Sequence, residues 1–190
     1  GIEQLLDTHL DDRWFCGIGI AASGLVDKST NTVVYSPILS WEDYDFSPVA
    51  EYFDVPIYID NDANVFTLAH MWVGLGRGYQ NFIGVILGAG VGAGIVINGQ
   101  LYRGEFGGAG ELGHTIVEHR GSTCHCGQRG CLEMYASEQF ILGEIDRLRR
   151  LGIPMALDQH GEVSTDSIYE AARTDDTIQG ILSRQGENLG

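Results

Sequence analysis

Three cysteines fall within eight residues of this sequence, at Cys124, Cys126 and Cys131. Thiolates are soft ligands, and structural zinc is commonly held by four cysteine or histidine ligands in a tetrahedron. The tight spacing therefore predicts a zinc site rather than a disulfide framework. Three reduced structural thiols without a metal are the alternative interpretation. A zinc ion with four protein ligands would shape its loop, because it would have no open position for an activated water.

The spacing alone leaves the fourth ligand open. His114 lies ten residues before Cys124, beyond a short strand predicted over Thr115–Glu118, and can fold back onto the cysteines. His119 is the other candidate. His125 stands between two cysteines, so we expect its side chain to point away from the metal.

Acid and amide side chains cluster directly after a predicted strand, in the run Asp60-Asn61-Asp62-Ala63-Asn64. An amide both donates and accepts hydrogen bonds and a carboxylate accepts them, so this set suits the hydroxyl groups of a sugar. An Asp placed here can also act as general base on a sugar hydroxyl. The run is equally typical of an Asx turn that caps the helix after it. The residues alone favour neither interpretation.

Two more carboxylates flank the cysteines. Glu111 lies in the run Glu111-Leu112-Gly113-His114, and Glu133 comes shortly after Cys131. If zinc shapes the intervening loop, both carboxylates can face one cavity. The alternative for Glu133 is an acidic residue in a first helical turn, where the helix dipole favours it.

Glycine is the conspicuous residue of the chain, at 27 of 190. The segment Gly88–Gly94 follows a predicted strand, and glycines let backbone amides approach a phosphate. The segment leads into another strand and an Asn98-Gly99 turn, which does not fit a Rossmann fingerprint but suits a β-hairpin that grasps phosphate. A tightly packed β-turn is the alternative. No Gly-Lys-Ser/Thr run is present, which excludes a Walker-type site.

Hydrophobic patterns predict the elements that position these residues. The predicted strands are Phe15–Ala21, Thr32–Tyr35, Pro56–Ile59, Phe82–Leu87, Ile95–Ile97 and Leu101–Tyr102. The predicted helices are Asp45–Phe53, Val65–Trp72, Glu133–Arg150, and two that are capped near Ser164 and Asp175 and end at Ala172 and Leu189. We expect Phe82–Leu87 to be buried on both faces, since it lacks polar alternation, and Cys16 to lie in a buried strand. This order of elements predicts an α/β fold.

Composition limits the function further. The chain of 190 residues and 20.7 kDa has a formal net charge of −15, which disfavours nucleic-acid binding by these residues. The sequence opens with Ile2–Leu6, which resembles the end of an amphipathic helix, so we expect a fragment of a longer protein. No charged-then-apolar signal peptide pattern opens these residues, and we expect a cytoplasmic location. A domain boundary is expected near Gly74–Gln80.

Taken together, these segments resemble the ROK family (repressors, open reading frames and sugar kinases), which has the actin-like, hexokinase-like ATPase fold. The matching segments are Gly17–Ile20 with Ser23-Gly24, Ile59–Asn64, Gly88–Gly94, Ala109–His114 and Cys124–Glu133. The resemblance implies two ribonuclease H-like α/β domains. Residues 1–78 would be the remainder of the N-terminal domain, and residues 79–190 the C-terminal domain with a zinc loop.

The resemblance also implies a role for each matching residue. Sugar hydroxyls would be bound by Asn61, Asp62, Glu111, His114 and Glu133, and Asp62 matches the catalytic base of the kinases. Zinc would be held by His114, Cys124, Cys126 and Cys131, with the other His114 nitrogen turned toward the sugar. Gly88, Gly90 and Gly92 would lie in a phosphate-binding loop. The family implies a homodimer or homotetramer, ATP and Mg²⁺ only in a kinase, and operator DNA bound only through an N-terminal domain outside these residues.

Departures from the kinase pattern favour one branch of the family. Ala89 stands where kinases carry a threonine hydroxyl, and Ile38 follows Pro37 where kinases commonly carry Asn. The first phosphate motif of the family, Asp-x-Gly-x-Thr, is not found. Ala89 and Ile38 favour the sugar-sensing effector domain of a transcriptional repressor. An ATP-dependent sugar kinase is the alternative, and a sugar-binding remnant with neither activity is a third interpretation.

The predicted ligand is an unmodified hexose or a close derivative. Paired acids and amides suit neutral hydroxyl groups, and the sequence places no Arg or Lys cluster next to them that would bind a sugar phosphate.

Overall fold

The computed structural model describes residues 16–105, 107–159 and 163–190. Its strands are β1 Ile18–Ala22, β2 Leu25–Asp27, β3 Thr32–Ser36, β4 Trp41–Asp45, β5 Ile57–Asn61, β6 Phe82–Leu87, β7 Val91–Ile97 and β8 Gln100–Tyr102. Its helices are α1 Ser47–Phe53, α2 Asp62–Val73, α3 Glu133–Ala136, α4 Glu138–Arg150, α5 Thr165–Ala171 and α6 Asp176–Leu189. The helical end predicted at Ile2–Leu6 and the first residue of the strand predicted over Phe15–Ala21 lie outside the described residues.

The chain divides into two compact units that alternate along the sequence. Unit 1 comprises Gly1–Phe82 and Ile95–Ala109, and unit 2 comprises Ile83–Gly94 and Gly110–Gly190. Strand β7 begins in unit 2 and ends in unit 1. Segments of the two units therefore alternate along the chain. The sequence predicts a single domain boundary between residues 78 and 79, and that boundary stays a prediction.

Unit 1 is built on two sheets. Strands β1 and β5 pair in parallel, with Ala22 opposite Asn61, and β2, β3 and β4 form an antiparallel sheet. Ala22, Val26, Val33 and Ile59 form the buried core between these strands. The parallel pairing brings the ends of β1 and β5 to one edge, so the polar run that begins at Asp60 leaves the sheet beside Ala22.

The helix predicted over Asp45–Phe53 is shorter than expected, because a strand precedes it. Trp41–Asp45 forms β4, in which the rings of Trp41 and Tyr44 stack 4.6 Å apart. The helix α1 begins at Ser47 with Pro48 in its first turn, a position that suits the fixed φ of proline. Aromatic enrichment, which favours strands, was the signal for β4.

Strand β6 has the predicted bounds, but the expected burial of both faces is wrong. Ile83, Val85 and Leu87 are 61%, 40% and 46% exposed, whereas the residues between them are half-buried. Such alternation is typical of a sheet with one open face.

The Asn98-Gly99 turn between β7 and β8 is confirmed, with φ of 53° and 71° as a type I′ hairpin requires.

Unit 2 contains the remaining helices. The single helix predicted over Glu133–Arg150 is two helices, because the Ser137 hydroxyl accepts a hydrogen bond from the Phe140 N–H and starts a new helix. The predicted caps near Ser164 and Asp175 are confirmed at the starts of α5 and α6. The core consists of Ile141, Ile145, Leu148, Met155, Leu157, Ile168, Ala171, Ile178 and Ile181.

Two remaining expectations concern exposure. Cys16 is exposed and precedes β1, so its predicted place in a buried strand is wrong. Across the described ranges, no helix combines the length and the apolar character needed to cross a membrane.

Candidate functional site

The turn from β5 into α2 contains the first two predicted sugar residues. Asn61 is the N-cap of α2: its Oδ1 accepts hydrogen bonds from the backbone N–H groups of Ala63 at 3.0 Å and Asn64 at 3.2 Å. Its Nδ2 donates to the carbonyl of Gly24 at 3.0 Å. The helix begins three residues earlier than the predicted Val65, because Asn61 caps it. The Asx-turn interpretation therefore holds for Asn61, and its sugar-binding role stays a prediction.

Asp62 occupies the first position of α2. Its Oδ1 accepts the Ala63 N–H at 2.9 Å. Burial raises the pKa of the Asp62 carboxyl, and the hydrogen bond from Ala63 offsets this only in part. A carboxylate with a raised pKa is a stronger base, so Asp62 suits the removal of a hydroxyl proton.

A carboxylate that the sequence analysis did not single out organises this turn. Asp60, 8% exposed, forms ion pairs through Oδ2 with Arg103 at 2.7 Å and with Lys28 at 3.1 Å. We call these three residues the carboxylate hub. Burial alone would raise the pKa of Asp60, but the hydrogen bonds and charges of Arg103 and Lys28 outweigh it and lower the pKa.

The hub corrects one expectation from the sequence. Lys28 and Arg103 form a basic pair next to Asn61, although the sequence places no Arg or Lys cluster beside the predicted sugar residues. They lie 32 and 43 residues from Asp60 along the chain, so no local sequence pattern predicts that they contact it.

A cavity of about 430 Å³ lies against the hub within unit 1. Its lining includes Val26, Asp27, Lys28, Ser29, Asp60, Asn61, Arg103, Gly104, Glu105 and Gly107. The lining carries two cationic and three carboxylate side chains, and Asp60 engages both cations. The cavity therefore offers a mixture of donors and acceptors without excess positive charge.

In unit 2 the predicted zinc ligands meet. The ligand atoms of His114, Cys124, Cys126 and Cys131 all lie within 4.8 Å of one another, and we call these four residues the cysteine loop. Cys124 Sγ is 3.6 Å from His114 Nδ1, and Cys126 Sγ is 3.6 Å from Cys131 Sγ. For bond lengths of about 2.3 Å to sulfur and about 2.0 Å to nitrogen, a tetrahedron has edges of about 3.5 Å between sulfur and nitrogen and about 3.8 Å between two sulfurs. The four residues therefore fit zinc.

Backbone structure explains why this loop is compact. The strand predicted over Thr115–Glu118 is wrong: only an isolated bridge between Ile116 and Cys131 forms there. A second isolated bridge pairs Thr123 with Arg129. Gly130 has φ of 78°, and a Cβ there would collide with the carbonyl of Glu118. Only glycine fits this close approach without strain.

The thiols of the loop are electrostatically unequal. Burial raises the pKa of Cys131 to about 12, with added contributions from Cys126 and Cys124. At Cys126, burial opposes a hydrogen bond from the Gln128 backbone and contacts with the other thiols, and the net effect lowers the pKa. The two neighbouring thiols therefore have pKa values displaced in opposite directions, although their sulfur atoms lie 3.6 Å apart.

His125 does not point away, contrary to the expectation from its position. Its Nδ1 is 3.3 Å from Glu133 Oε1 and 4.0 Å from Cys124 Sγ. A second ligand set, made of His114, Cys124, His125 and Glu133, therefore also lies within 4.8 Å. His119, the other histidine considered from the sequence, belongs to neither set.

The other predicted sugar residues of unit 2 lie around the same loop. His114 directs Nδ1 to Cys124 and Nε2 toward Glu111, whose Oε2 is 3.7 Å away. Glu133 is 8% exposed and accepts the Val91 N–H at 2.9 Å. The structure thus brings Glu111 and His114 together in unit 2, and Glu133 near them through His125, while Asn61 and Asp62 are adjacent in unit 1. A single sugar pocket formed by all five stays a prediction.

The predicted phosphate loop is a short turn between β6 and β7. The Gly88 N–H donates to the Gly90 carbonyl at 3.0 Å, and the Gly88 carbonyl accepts the Glu138 N–H at 2.8 Å. Gly92 lies inside β7, because the strand begins at Val91. The turn itself is therefore limited to residues 88–90, with a carboxylate bound to the next N–H.

This α/β architecture, with Asx-rich and cysteine-rich loops after its strands, is that of the actin-like, hexokinase-like fold. The profile described as the ROK family matches residues 1–190, and the chain belongs to that family.

Relatives in the family include regulators and enzymes. The xylose repressor of Caldicellulosiruptor bescii is 37% identical over 161 residues, which are 83% of this chain and 40% of the repressor. The glucokinase of Halalkalibacterium halodurans is 34% identical over 182 residues, which are 93% of this chain and 55% of the enzyme. The chain thus spans about half the length of these relatives or less.

Solved structures divide in the same way. A ROK family transcriptional regulator, described as a homolog of the E. coli MLC protein, has a TM-score of 0.84 at 30% identity, covering 99% of this chain and 48% of the regulator. A ROK family glucokinase from Streptomyces griseus, in complex with glucose and AMPPNP, has a TM-score of 0.84 at 29% identity, covering 98% of this chain and 62% of the enzyme. The comparisons therefore establish the fold, and the similar proteins include both regulators and sugar kinases.

Proposed function

We propose that these residues are the sugar-binding effector region of a transcriptional repressor that senses a free hexose or a similar sugar. Asn61 and Asp62 in unit 1 and Glu111, His114 and Glu133 in unit 2 supply the acid, amide and imidazole groups that bind hydroxyls. With a net charge of −15, these residues are not expected to bind operator DNA. In this proposal, DNA is bound by a separate segment of the protein.

The choice of regulator over kinase depends on the turn at residues 88–90. Ala89 supplies no hydroxyl to a phosphate, and the N–H of Val91 is bound by the Glu133 carboxylate at 2.9 Å. A nucleotide phosphate brought to this turn would meet a fixed negative charge in place of a free donor. Phosphoryl transfer depends on donors and Mg²⁺ that stabilise charge around the phosphate, so this turn supports sugar binding better than catalysis.

A neutral sugar suits unit 1 better than a sugar phosphate does. Both cations of the cavity are paired with Asp60, and the lining also carries Asp27 and Glu105. A phosphate would therefore compete with a carboxylate for each cation, whereas hydroxyl groups can use the mixed donors and acceptors.

We also propose that the cysteine loop binds one zinc ion through His114, Cys124, Cys126 and Cys131. The support is that the four ligand atoms lie within 4.8 Å of one another and that two of their separations, both 3.6 Å, match the edges of a zinc tetrahedron. Zinc bound by four protein ligands would stabilise the loop without activating water, and would hold His114 Nε2 toward Glu111. Metal analysis of protein purified without chelator should find about one zinc per chain. Less than a tenth of an equivalent in folded protein would contradict the proposal.

Sugar binding and ATP turnover distinguish the two branches. Calorimetry of the intact protein with D-xylose, D-glucose and glucose 6-phosphate should show binding of a free sugar, and the sugar should change operator affinity without ATP hydrolysis. Tighter binding of the phosphate would contradict a free-sugar ligand. ATP-dependent sugar phosphorylation would contradict the regulator.

A sugar kinase is the second candidate, and one observation favours it. Asp62 is half-buried with a raised pKa, as a general base on a sugar hydroxyl requires. In a kinase, Asp62→Asn should abolish phosphorylation but retain much of the sugar affinity, because the amide keeps an acceptor and cannot take the proton. In the regulator, the same substitution should leave the undetectable ATP turnover unchanged.

A further inference from the structure

The two oxygens of Asp60 serve different partners. Oδ1 accepts the backbone N–H of Asn61 at 2.9 Å and the side-chain Nδ2 of Asn64 at 3.2 Å. Oδ2 faces the cations, accepting from Lys28 and from two nitrogens of Arg103. Asp60 therefore links a local turn on one side to two distant segments of unit 1 on the other.

Arg103 holds Asp60 more firmly than Lys28 does. Arg103 donates from Nη2 at 2.7 Å and from Nε at 3.3 Å, whereas Lys28 donates from a single atom at 3.1 Å. Two donors on a planar guanidinium fix an orientation that one ammonium cannot fix. Both nitrogens contact the same oxygen, so Arg103 constrains the position of Asp60 Oδ2 and, together with Lys28, keeps the carboxylate paired.

The backbone of Arg103 is itself fixed. Its carbonyl accepts the Ala109 N–H at 3.0 Å, which closes the loop that follows β8. Gly104 has φ of 71°, so the chain turns directly after Arg103. The same loop supplies Gly104 and Gly107 to the cavity wall that Asn61 also lines. Arg103 is therefore held in place by its own loop, and through Asp60 it contacts the turn that contains Asn61 and Asn64.

We propose that Arg103 is a positioning residue for the sugar site. Held by its loop, it orients Asp60, and Asp60 orients the turn from which Asn61 and Asp62 project. In this role Arg103 acts through Asp60, and the inference rests on the proposed sugar-binding function.

The test compares four single substitutions in the full chain: Arg103→Gln, Arg103→Lys, Lys28→Gln and, as a matched surface control, Arg173→Gln, which removes an exposed ion pair with Glu170. Calorimetry measures the affinity for D-xylose and D-glucose. Amide hydrogen exchange of the sugar-free protein compares residues 61–64 with strand β3.

We expect Arg103→Gln to weaken sugar binding by about tenfold, because misplacing a binding group by a fraction of an ångström is costly. The ratio of the two sugar affinities should change as well, which a simple loss of folded protein would not cause. Exchange should rise at residues 61–64 and stay constant in β3. Arg103→Lys should recover part of the affinity, Lys28→Gln should have a smaller effect, and Arg173→Gln should have none.

The outcomes distinguish failure of the positioning role of Arg103 from failure of the proposed sugar-binding function. If wild-type protein binds neither D-xylose nor D-glucose, the proposed function is contradicted for these sugars. Amide hydrogen exchange at residues 61–64 then tests the positioning role of Arg103 by itself. Unchanged exchange in Arg103→Gln overturns the role, as does an affinity loss no larger than that of Lys28→Gln. If Arg103→Gln does not fold, Arg103→Lys carries the same comparison, because it retains the charge and removes the second donor.

Discussion

The carboxylate hub in unit 1 and the cysteine loop in unit 2 are two partly buried polar clusters that differ in how their charges are paired. In the hub, the single carboxylate of Asp60 is matched by Lys28 and Arg103, and its pKa falls despite burial. In the loop, three thiols and an imidazole face one another without a cation, and burial and crowding raise the pKa of Cys131 to about 12. The first cluster pairs its own charges, and the second is the cluster for which we propose a zinc ion.

This contrast distinguishes a cluster of charges that stabilises the fold from a cluster that could bind a metal ion. A buried charge that the chain neutralises itself stabilises the fold and orients its neighbours. Four cysteine and histidine ligand atoms within 4.8 Å of one another form a group that could hold a metal ion. The two clusters should therefore respond differently to chelators, charge removal and pH.

The largest effect is expected from Cys131→Ser. Losing a zinc ligand should lower the unfolding free energy by about 3 kcal/mol, or Tm by about 10 °C, because metal binding is coupled to folding of the loop. Calorimetry and zinc analysis measure both effects. Cys16→Ser is the matched control, because Cys16 is an exposed thiol outside the loop. Equal stability of wild type with and without a zinc chelator would contradict the contrast between the clusters.

Asp60→Asn is expected to have the next largest effect. The substitution leaves Lys28 and Arg103 facing an uncharged amide and should cost about 2 kcal/mol, less than a fully buried pair because both cations are partly exposed. Urea unfolding at pH 7 measures the loss. A chelator should leave that loss unchanged; dependence on zinc would show that the two clusters are not independent.

The smallest effect is a pH dependence of stability, which has opposite signs at Asp60 and Asp62, two residues apart in the same turn. The lowered pKa of Asp60 contributes stability above its ordinary pKa of about 3.9, and this contribution is lost as the pH falls through the lowered value. The raised pKa of Asp62 contributes stability below about pH 3.9, and this contribution is lost as the pH rises through the raised value.

At pH 7, Asp62→Asn should therefore stabilise the protein slightly, while Asp60→Asn destabilises it. Unfolding curves of both variants at pH 3 and pH 7 should converge at the acid end. Destabilisation by Asp62→Asn at pH 7 would show that hydrogen bonding at Asp62 outweighs its desolvation.

Much of the fold was predictable because local patterns dictate it. The Asn98-Gly99 hairpin and the caps at Ser164 and Asp175 are encoded within a few residues. The break at Ser137 was missed because the apolar periodicity of two adjacent helices continues across it. The open face of β6 was missed because an unbroken apolar run does not reveal how many layers cover a strand.

The two clusters differ in the same respect. Cys124, Cys126 and Cys131 are near neighbours in sequence, so the cysteine loop was visible from spacing alone, with His114 as the added member. The hub was invisible because Lys28, Asp60 and Arg103 are far apart in sequence and each is ordinary in its own surroundings. Only the packing of unit 1 shows that Asp60, and not Asn61 or Asp62, receives both cations.

The interleaving of the two units has a consequence for biosynthesis. Lys28 leaves the ribosome before Asp60, but Arg103 follows Asp60 by 43 residues, after the segment Ile83–Gly94 of unit 2. At about 5–20 residues per second, the nascent chain carries Asp60 with one of its two cations for about 2–9 s. Vectorial synthesis thus leaves the turn after β5 without its Arg103 contact until late in the synthesis of unit 1, and a ribosome paused ahead of residue 103 holds a chain in which Asp60 has only Lys28 as a cationic partner.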